Sequence, residues 1–408
     1  MLPRGLHCIL CGSAFAHGEV EYTCPRCGDA GILDVDWDYD VIARSWRPSA
    51  EHSIWRYHQL LPVEERWRRP RVVVGWTPIY EVDRLAPTLG VRALRVKDDG
   101  RMPTASFKDR ASAVGATRAA GLGARAIACA STGNAASSLA GMAADLGLPA
   151  VIFVPASAPE AKVAQLAIYG ATVLLVEGTY ADAYDLCQKS VAAFPDLYNR
   201  NCAVNPYLVE GKKTCGLEIA EQTAKRIPDV VAVSVGDGCT IAGIWKGLCE
   251  MQRLGVIDRL PRLLGVQAEG ARPLVEAFER GDERIEPREA RTIADSISVS
   301  HPRNAVKALR AVRASGGAMV AVPDEAILEM VPALARASGV FAEPTAAASL
   351  AGVRLARERG LVAPTDDVLA VVTGNGLKDV RGAMRASSVQ PPRRIPPELD
   401  AVRRELQR

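Results

Sequence analysis

The chain has 408 residues, of which 48% are hydrophobic and 24% charged, with a net charge of +3. That length suggests two or three domains and allows a large core without covalent staples. The near-balanced charge and the 5% aromatic content argue against a nucleic-acid or membrane-surface partner. No apolar run approaches the ~20 residues that span a bilayer, and the N-terminal stretch lacks the apolar segment of a signal peptide. The expectation is a cytoplasmic enzyme.

Ten cysteines fall into two groups. Four form the pairs Cys8-x-x-Cys11 and Cys24-x-x-Cys27. Each pair turns two thiolates toward one point, and two pairs suit a tetrahedral, structural Zn²⁺ site. Gly12 and Gly28 follow the two knuckles, where the chain must turn sharply. Residues 1–36 therefore read as a zinc ribbon, with His7 and His17 as solvated loop residues. The other six cysteines read as small buried side chains of a reducing compartment.

Residues 37–110 read as an arm rich in Trp and Arg followed by part of a large α/β lobe, with a short strand expected in RVVVGWTPIYEV. From Val91 to Val372 short apolar runs alternate with Ala-rich helical stretches, which predicts α/β architecture with parallel sheets. Expected strands are Ala93–Val96, Ala126–Ala130, Ala150–Val154, Thr172–Val176, Val230–Val235, Leu263–Gln267 and Val368–Val372. That number exceeds the needs of one small sheet. A two-lobed chain is expected, with 111–198 as a small lobe, 199–383 as the rest of the large one, and 384–408 as a tail ending in a short helix. Asn199–Val209 reads as a loop between the lobes.

Gly121-Leu-Gly-Ala-Arg-Ala126 matches a dinucleotide-binding fingerprint by letters but not by order. A dinucleotide loop follows a strand and opens a helix; these glycines end a helix and lead into a strand. Gly236-Asp-Gly-Cys-Thr240 has the right order. A strand-to-helix turn of this kind leaves several backbone N–H groups free at the positive end of a helix and forms a phosphate cradle. It lacks the Gly-Lys-Ser/Thr of a nucleotide P-loop.

Three further words carry chemistry. In Thr104-Ala-Ser106-Phe-Lys108-Asp-Arg110 a lysine sits at a helix start, where the dipole disfavours its protonated form and suits it to Schiff-base chemistry. Ser131-Thr132-Gly133-Asn134 offers hydroxyls, an amide and free N–H groups, a set that suits a carboxylate. Val372-Thr373-Gly374-Asn375-Gly376 is a strand running into a glycine turn. Ordinary capping and turn chemistry is the plain alternative for each.

In their order, TASFKDR, STGNAASS, NPYLVEGKKT, VGDGCTIAG and TGNGLKD resemble the fold-type II pyridoxal-phosphate enzymes, and among them the threonine synthases. The resemblance covers nearly the whole chain. It implies pyridoxal 5'-phosphate as cofactor, with Lys108 as the Schiff-base lysine that also moves protons. It implies Asn134 on the ring hydroxyl, Gly236, Asp237, Gly238, Cys239 and Thr240 on the phosphate, and Thr373 facing the pyridine nitrogen. Ser131, Thr132 and Gly133 would hold the substrate carboxylate. Thr104, Ser106, Asn205, Lys212 and Lys213 are candidates for the substrate's leaving phosphate.

The implied reaction converts O-phospho-L-homoserine and water to L-threonine and phosphate. A homodimer is implied by the same resemblance. Two positions depart from the pattern: Leu208 stands where an Arg is frequent, and Asn375 where a His is frequent. They leave open a relative that acts on serine, phosphoserine or another β-substituted amino acid. A regulatory zinc-ribbon protein on an inactive scaffold is a third reading, which the intact Lys108 and glycine turn oppose.

Overall fold

The segments VVAVS and DVLAVV are apolar at nearly every position, the pattern of strands covered on both faces rather than one. In the computed structural model, which describes residues 2–47, 49–386 and 393–407, both are fully buried strands at the centre of a sheet. Numbered along the chain, the strands are β1 (Gly5–Cys8), β2 (Ala14–Ala16), β3 (Leu33–Asp36), β4 (Ile79–Glu81), β5 (Ala93–Asp98), β6 (Ala126–Ala130) and β7 (Ala150–Pro155). They continue with β8 (Thr172–Val176), β9 (Leu197–Asn199), β10 (Val230–Ser234), β11 (Arg262–Ala268), β12 (Ala318–Val322) and β13 (Asp367–Val372).

They form three sheets. A six-stranded sheet runs β12-β11-β10-β13-β5-β4, parallel except for β4, which pairs antiparallel with β5. A four-stranded parallel sheet runs β8-β7-β6-β9. The N-terminal segment is a small antiparallel sheet, β2-β1-β3.

All seven expected strands are present. Two differences have local causes. Of the three valines in RVVVG only Val74 is buried, while Val73 is 65% exposed, so the strand is confined to Ile79–Glu81. The expected loop Asn199–Val209 is divided, because Asn205 caps a helix (Pro206–Gln222) through a bond from the Tyr207 N–H and Pro206 sits in its first turn; Asn before Pro is a helix-start signal. The strands β9 and β12 were not expected. The tail holds helices Val380–Ala386 and Leu399–Leu406, and its residues 387–392 lie outside the described residues.

The Lys108 helix (Lys108–Gly121) packs on the Pro206–Gln222 helix, and a buried charge network fixes its first turn. The Arg110 guanidinium donates to Asp99 at 2.7 Å and to Glu218 at 2.5 Å, and Lys97 pairs with Glu218 at 2.8 Å. All four side chains are fully buried. Two cations against two anions leave no net charge in the core, the condition under which such a network is tolerated. Gly121 ends this helix, Gly123 turns the chain at φ +77°, and β6 begins at Ala126. The glycine pair is thus a helix stop.

Among the described residues no helix is long and apolar enough to cross a membrane.

Candidate active site

In parallel sheets the loops leaving the carboxyl ends of the strands converge on one face and carry the binding site. The chemistry-bearing words sit on four such loops. The segment after β5 leads to Lys108, the loop after β6 holds Ser131–Gly133, the turn after β10 holds Gly236–Gly238, and Thr373–Asn375 follows β13. β10, β13 and β5 are neighbours in the large sheet, so three of these loops lie side by side.

Backbone bonds join them. The Phe107 N–H donates to the Thr373 carbonyl at 2.9 Å, and the Asn375 N–H donates to Ala105 at 3.0 Å. Ala105 takes φ +61°, a left-handed conformation that is costly for a residue with a Cβ. That turn delivers Lys108 to the first position of its helix.

Lys108, Lys212, Ser234, the turn Gly236–Thr240, Ser296, Thr345 and Thr373 line one cleft. Thr132, Gly133 and Asn134 line an adjoining cleft with Glu343 and Lys378. Asn134 links the two, donating to Ser296 Oγ at 3.2 Å and to both oxygens of Glu343.

Charges in the clefts are displaced from their ordinary values. Burial, helped by the neighbouring Lys212 charge, pushes the Lys108 amine down to about 8. Burial pushes the Glu343 carboxyl up to about 6, against the bond from Asn134 and the charge of Lys108. An amine brought this close to physiological pH has a substantial neutral fraction, and the neutral form is a nucleophile and a base.

Glu343 went unread in the sequence. Its only local signal is a Glu-Pro pair at the N-cap of the Pro344–Glu358 helix. Its N–H donates to the Gly374 carbonyl, and a Cβ on Gly374 would stand 2.4 Å from Glu343 Oε1.

The candidates for the leaving phosphate separate. Thr104 commits both its N–H and its hydroxyl to Asp109, at 2.7 and 2.5 Å. The Asn205 amide donates to the Asn199 carbonyl while its oxygen caps a helix. Lys213 is buried between Glu210 and Glu250. These three offer no free polar atom to a substrate. Ser106 is fully buried with its hydroxyl unpartnered. Leu208 is fully buried, its Cδ2 2.6 Å from where a Cβ on Gly115 would stand. It therefore packs between helices.

A phosphorylated aromatic cofactor fits this cleft. The hydroxyls of Ser234 and Thr373, at the ends of adjacent strands β10 and β13, are buried without a partner, a costly state that an occupant would relieve. Gly238, at φ +92°, begins a helix (Cys239–Arg253) whose first N–H groups no side chain caps, which leaves them for an anion.

The four N-terminal cysteines also converge. Their sulfurs all lie within 4.8 Å of one another, and Cys11 Sγ is 3.7 Å from Cys24 Sγ. The edge of a tetrahedron with ~2.3 Å metal–sulfur bonds is about 3.8 Å.

Comparison with known proteins agrees with this geometry. The chain belongs to the family described as "Pyridoxal-phosphate dependent enzyme", which matches residues 71–374. Within that family its relatives are threonine synthases. The one from Methanocaldococcus jannaschii is 40% identical over 100% of this chain and 99% of its own length. That from Methanosarcina acetivorans is 40% identical over 98% of each chain. Among solved structures, the processed form of threonine deaminase isoform 2 from Solanum lycopersicum matches with a TM-score of 0.65 at 20% identity, covering 77% of this chain and 84% of that one. At that identity the likeness speaks for the fold alone.

Proposed function

We propose that the chain is a pyridoxal-phosphate-dependent threonine synthase that converts O-phospho-L-homoserine and water to L-threonine and phosphate. The observation that carries this is the buried, charge-depressed Lys108 amine, sharing a cleft with a glycine phosphate turn and an unpartnered Thr373 hydroxyl. Identity of 40% to threonine synthases along the whole chain supports the particular reaction.

In this reading Gly236, Asp237, Gly238, Cys239 and Thr240 hold the cofactor's phosphate, Asn134 its ring hydroxyl through the amide oxygen, since the amide nitrogen serves Ser296 and Glu343, and Thr373 its pyridine nitrogen. Bound there, the cofactor supplies an electron-withdrawing ring that stabilises negative charge leaving the substrate's α carbon and lets a γ substituent depart. Lys108 Nζ, whose hold on its proton is weakened by burial beside another cation, takes the α proton and returns protons later. Thr373 contributes a neutral hydroxyl instead of a carboxylate, so it does not hold the ring protonated. The Thr132 N–H and the hydroxyls of Ser131 and Thr132 orient the substrate carboxylate beside Gly133 at the start of the Asn134–Leu146 helix, the Ser131 and Gly133 N–H groups being taken by the Phe153 carbonyl and Ser131 Oγ. Ser106 remains a candidate for the leaving phosphate, whereas Thr104 and Asn205 are withdrawn because their polar atoms are spent within the protein.

The four N-terminal cysteines would hold a structural zinc ion, all-thiolate and closed to substrate. The cysteines are unpaired, which suits a cytoplasmic enzyme. We also infer a homodimer.

The test is turnover of O-phospho-L-homoserine by the holoenzyme. Threonine and phosphate should appear in equal amounts and vanish in Lys108→Ala. A cofactor-loaded protein that leaves this substrate untouched would overturn the reaction and turn attention to β-substituted amino acids.

A further inference from the structure

Lys212 is 4% exposed on the Pro206–Gln222 helix and lines the cleft that holds Lys108 and the glycine turn. Among the described residues its amine makes no hydrogen bond and no ion pair. The contrast with its surroundings is sharp. Lys213, one residue on, meets Glu210 and Glu250; Lys97 and Arg110 meet Glu218. A buried ammonium with no counter-charge is costly.

The charged and ionisable groups that bear on Lys212 are Cys202, Cys239, Arg200 and Asp237, together with Lys108. None supplies a paired anion. The Asp237 carboxylate turns outward to accept from the Arg303 N–H at 3.4 Å. Arg200 spends its guanidinium on Ser112 at 2.9 and 3.1 Å and on Cys202 Sγ at 3.4 Å. Two independent features therefore aim at one place. The glycine turn presents free N–H groups, and Lys212 presents an unneutralised charge.

We propose that Lys212 is the counter-ion of a phosphate monoester bound at the Gly236–Thr240 turn, and that this phosphate is the cofactor's. The proposal rests on the cofactor reading of the cleft. The N–H groups satisfy the phosphate oxygens by dipole, and Lys212 neutralises its charge. Because Asp237 adds a negative charge to the same turn, the dipole alone faces opposition there, and the lysine offsets it. A phosphate group on the substrate has the same chemistry, so the experiment separates the two sources.

Apoprotein is titrated with pyridoxal phosphate and, separately, with pyridoxal, which has the aldehyde but no phosphate, following absorbance. In the wild type the phosphate ester binds far more tightly. In Lys212→Gln its dissociation constant rises at least tenfold more than that of pyridoxal, which shares any change in the Lys108 amine, while Lys212→Arg recovers most of the loss. The KM for O-phospho-L-homoserine at saturating cofactor stays within threefold.

Equal binding of the phosphate ester by Lys212→Gln and wild type overturns the proposal. So does a variant that loses both ligands alike, which marks a packing role. A rise in KM alone assigns the lysine to the substrate's phosphate and overturns the cofactor assignment. A wild type that binds neither ligand overturns the cofactor reading beneath it.

Discussion

Asn134 donates its side-chain amide to both carboxylate oxygens of Glu343, at 3.0 and 3.1 Å. The two residues are 209 positions apart in sequence. Their bond ties the start of the Asn134–Leu146 helix to the start of the Pro344–Glu358 helix, across the clefts that hold the candidate cofactor and substrate groups.

Glu343 should cost the protein stability. Its carboxyl is raised from 4.5 to about 6 by burial, so the folded protein favours the neutral form. The contribution of this one carboxyl to stability is full below about pH 4.5 and is lost as pH rises through 6. The difference corresponds to about 2 kcal/mol above that range. Glu343→Gln removes the charge and keeps an acceptor for Asn134. It should melt higher than wild type at pH 8 and equal to it near pH 4.5. Identical melting at both values would show that the carboxylate is not penalised.

Lys108 makes a separate pH prediction. Burial first, then Lys212, lowers its amine from 10.5 to about 8, so folding favours the neutral amine. The rate at which apoprotein condenses with the cofactor's aldehyde should rise with pH and level off above about 8. Stopped-flow absorbance reads this directly. A rate that keeps climbing past about pH 10 would mean that Lys108 titrates as an ordinary exposed lysine.

Gly238 and Gly123 form a controlled pair. Both have positive φ, +92° and +77°, so alanine strains either by about 1–2 kcal/mol. They differ in space. A Cβ on Gly238 would stand 2.8 Å from the Asn304 carbonyl oxygen and from Ala308 Cβ, whereas Gly123 has nothing within 4 Å. Gly238→Ala should lower the melting temperature further than Gly123→Ala and weaken cofactor binding at least tenfold. Gly123→Ala should leave cofactor binding unchanged, as befits a helix stop.

The order strand, turn, helix made the Gly236–Thr240 turn and the Asn134 word readable as strand-to-helix turns from local sequence, and it disqualified the Gly121–Ala126 decoy. Burial on both faces made β10 and β13 readable as continuous apolar runs. What stayed hidden depends on distant partners. Nothing near Glu343 announces Asn134. Thr104 looked like a free hydroxyl until Asp109 took it, and Asn205 looked like a ligand although Asn-Pro already spelled a helix cap. Lys212 and Lys213 are indistinguishable as letters. One faces two carboxylates and the other faces the cleft, a difference set by which side of one helix meets which neighbour.

The cysteine cluster should hold one zinc ion per chain and bind the segment to both larger sheets. Tyr22 accepts the Asn199 N–H from β9 at 3.1 Å, and its ring meets Tyr198 edge-on at 6.0 Å. Toward the six-stranded sheet, Asp34 takes Lys246 and Lys307 at 2.9 Å each, and Ile9 accepts from Arg310 at 2.7 Å. The segment is too short to bury a core of its own, so a metal bound there would supply much of its folding energy. Cys24→Ser removes a buried ligand. It should lose the zinc, lower the melting temperature by at least about 5 °C, and open the first 36 residues to protease before the rest of the chain. Metal analysis, calorimetry and timed proteolysis read the three effects. Zinc-free protein with wild-type melting and an uncut N-terminus would show that the ribbon is held by its contacts to the two sheets and not by a metal.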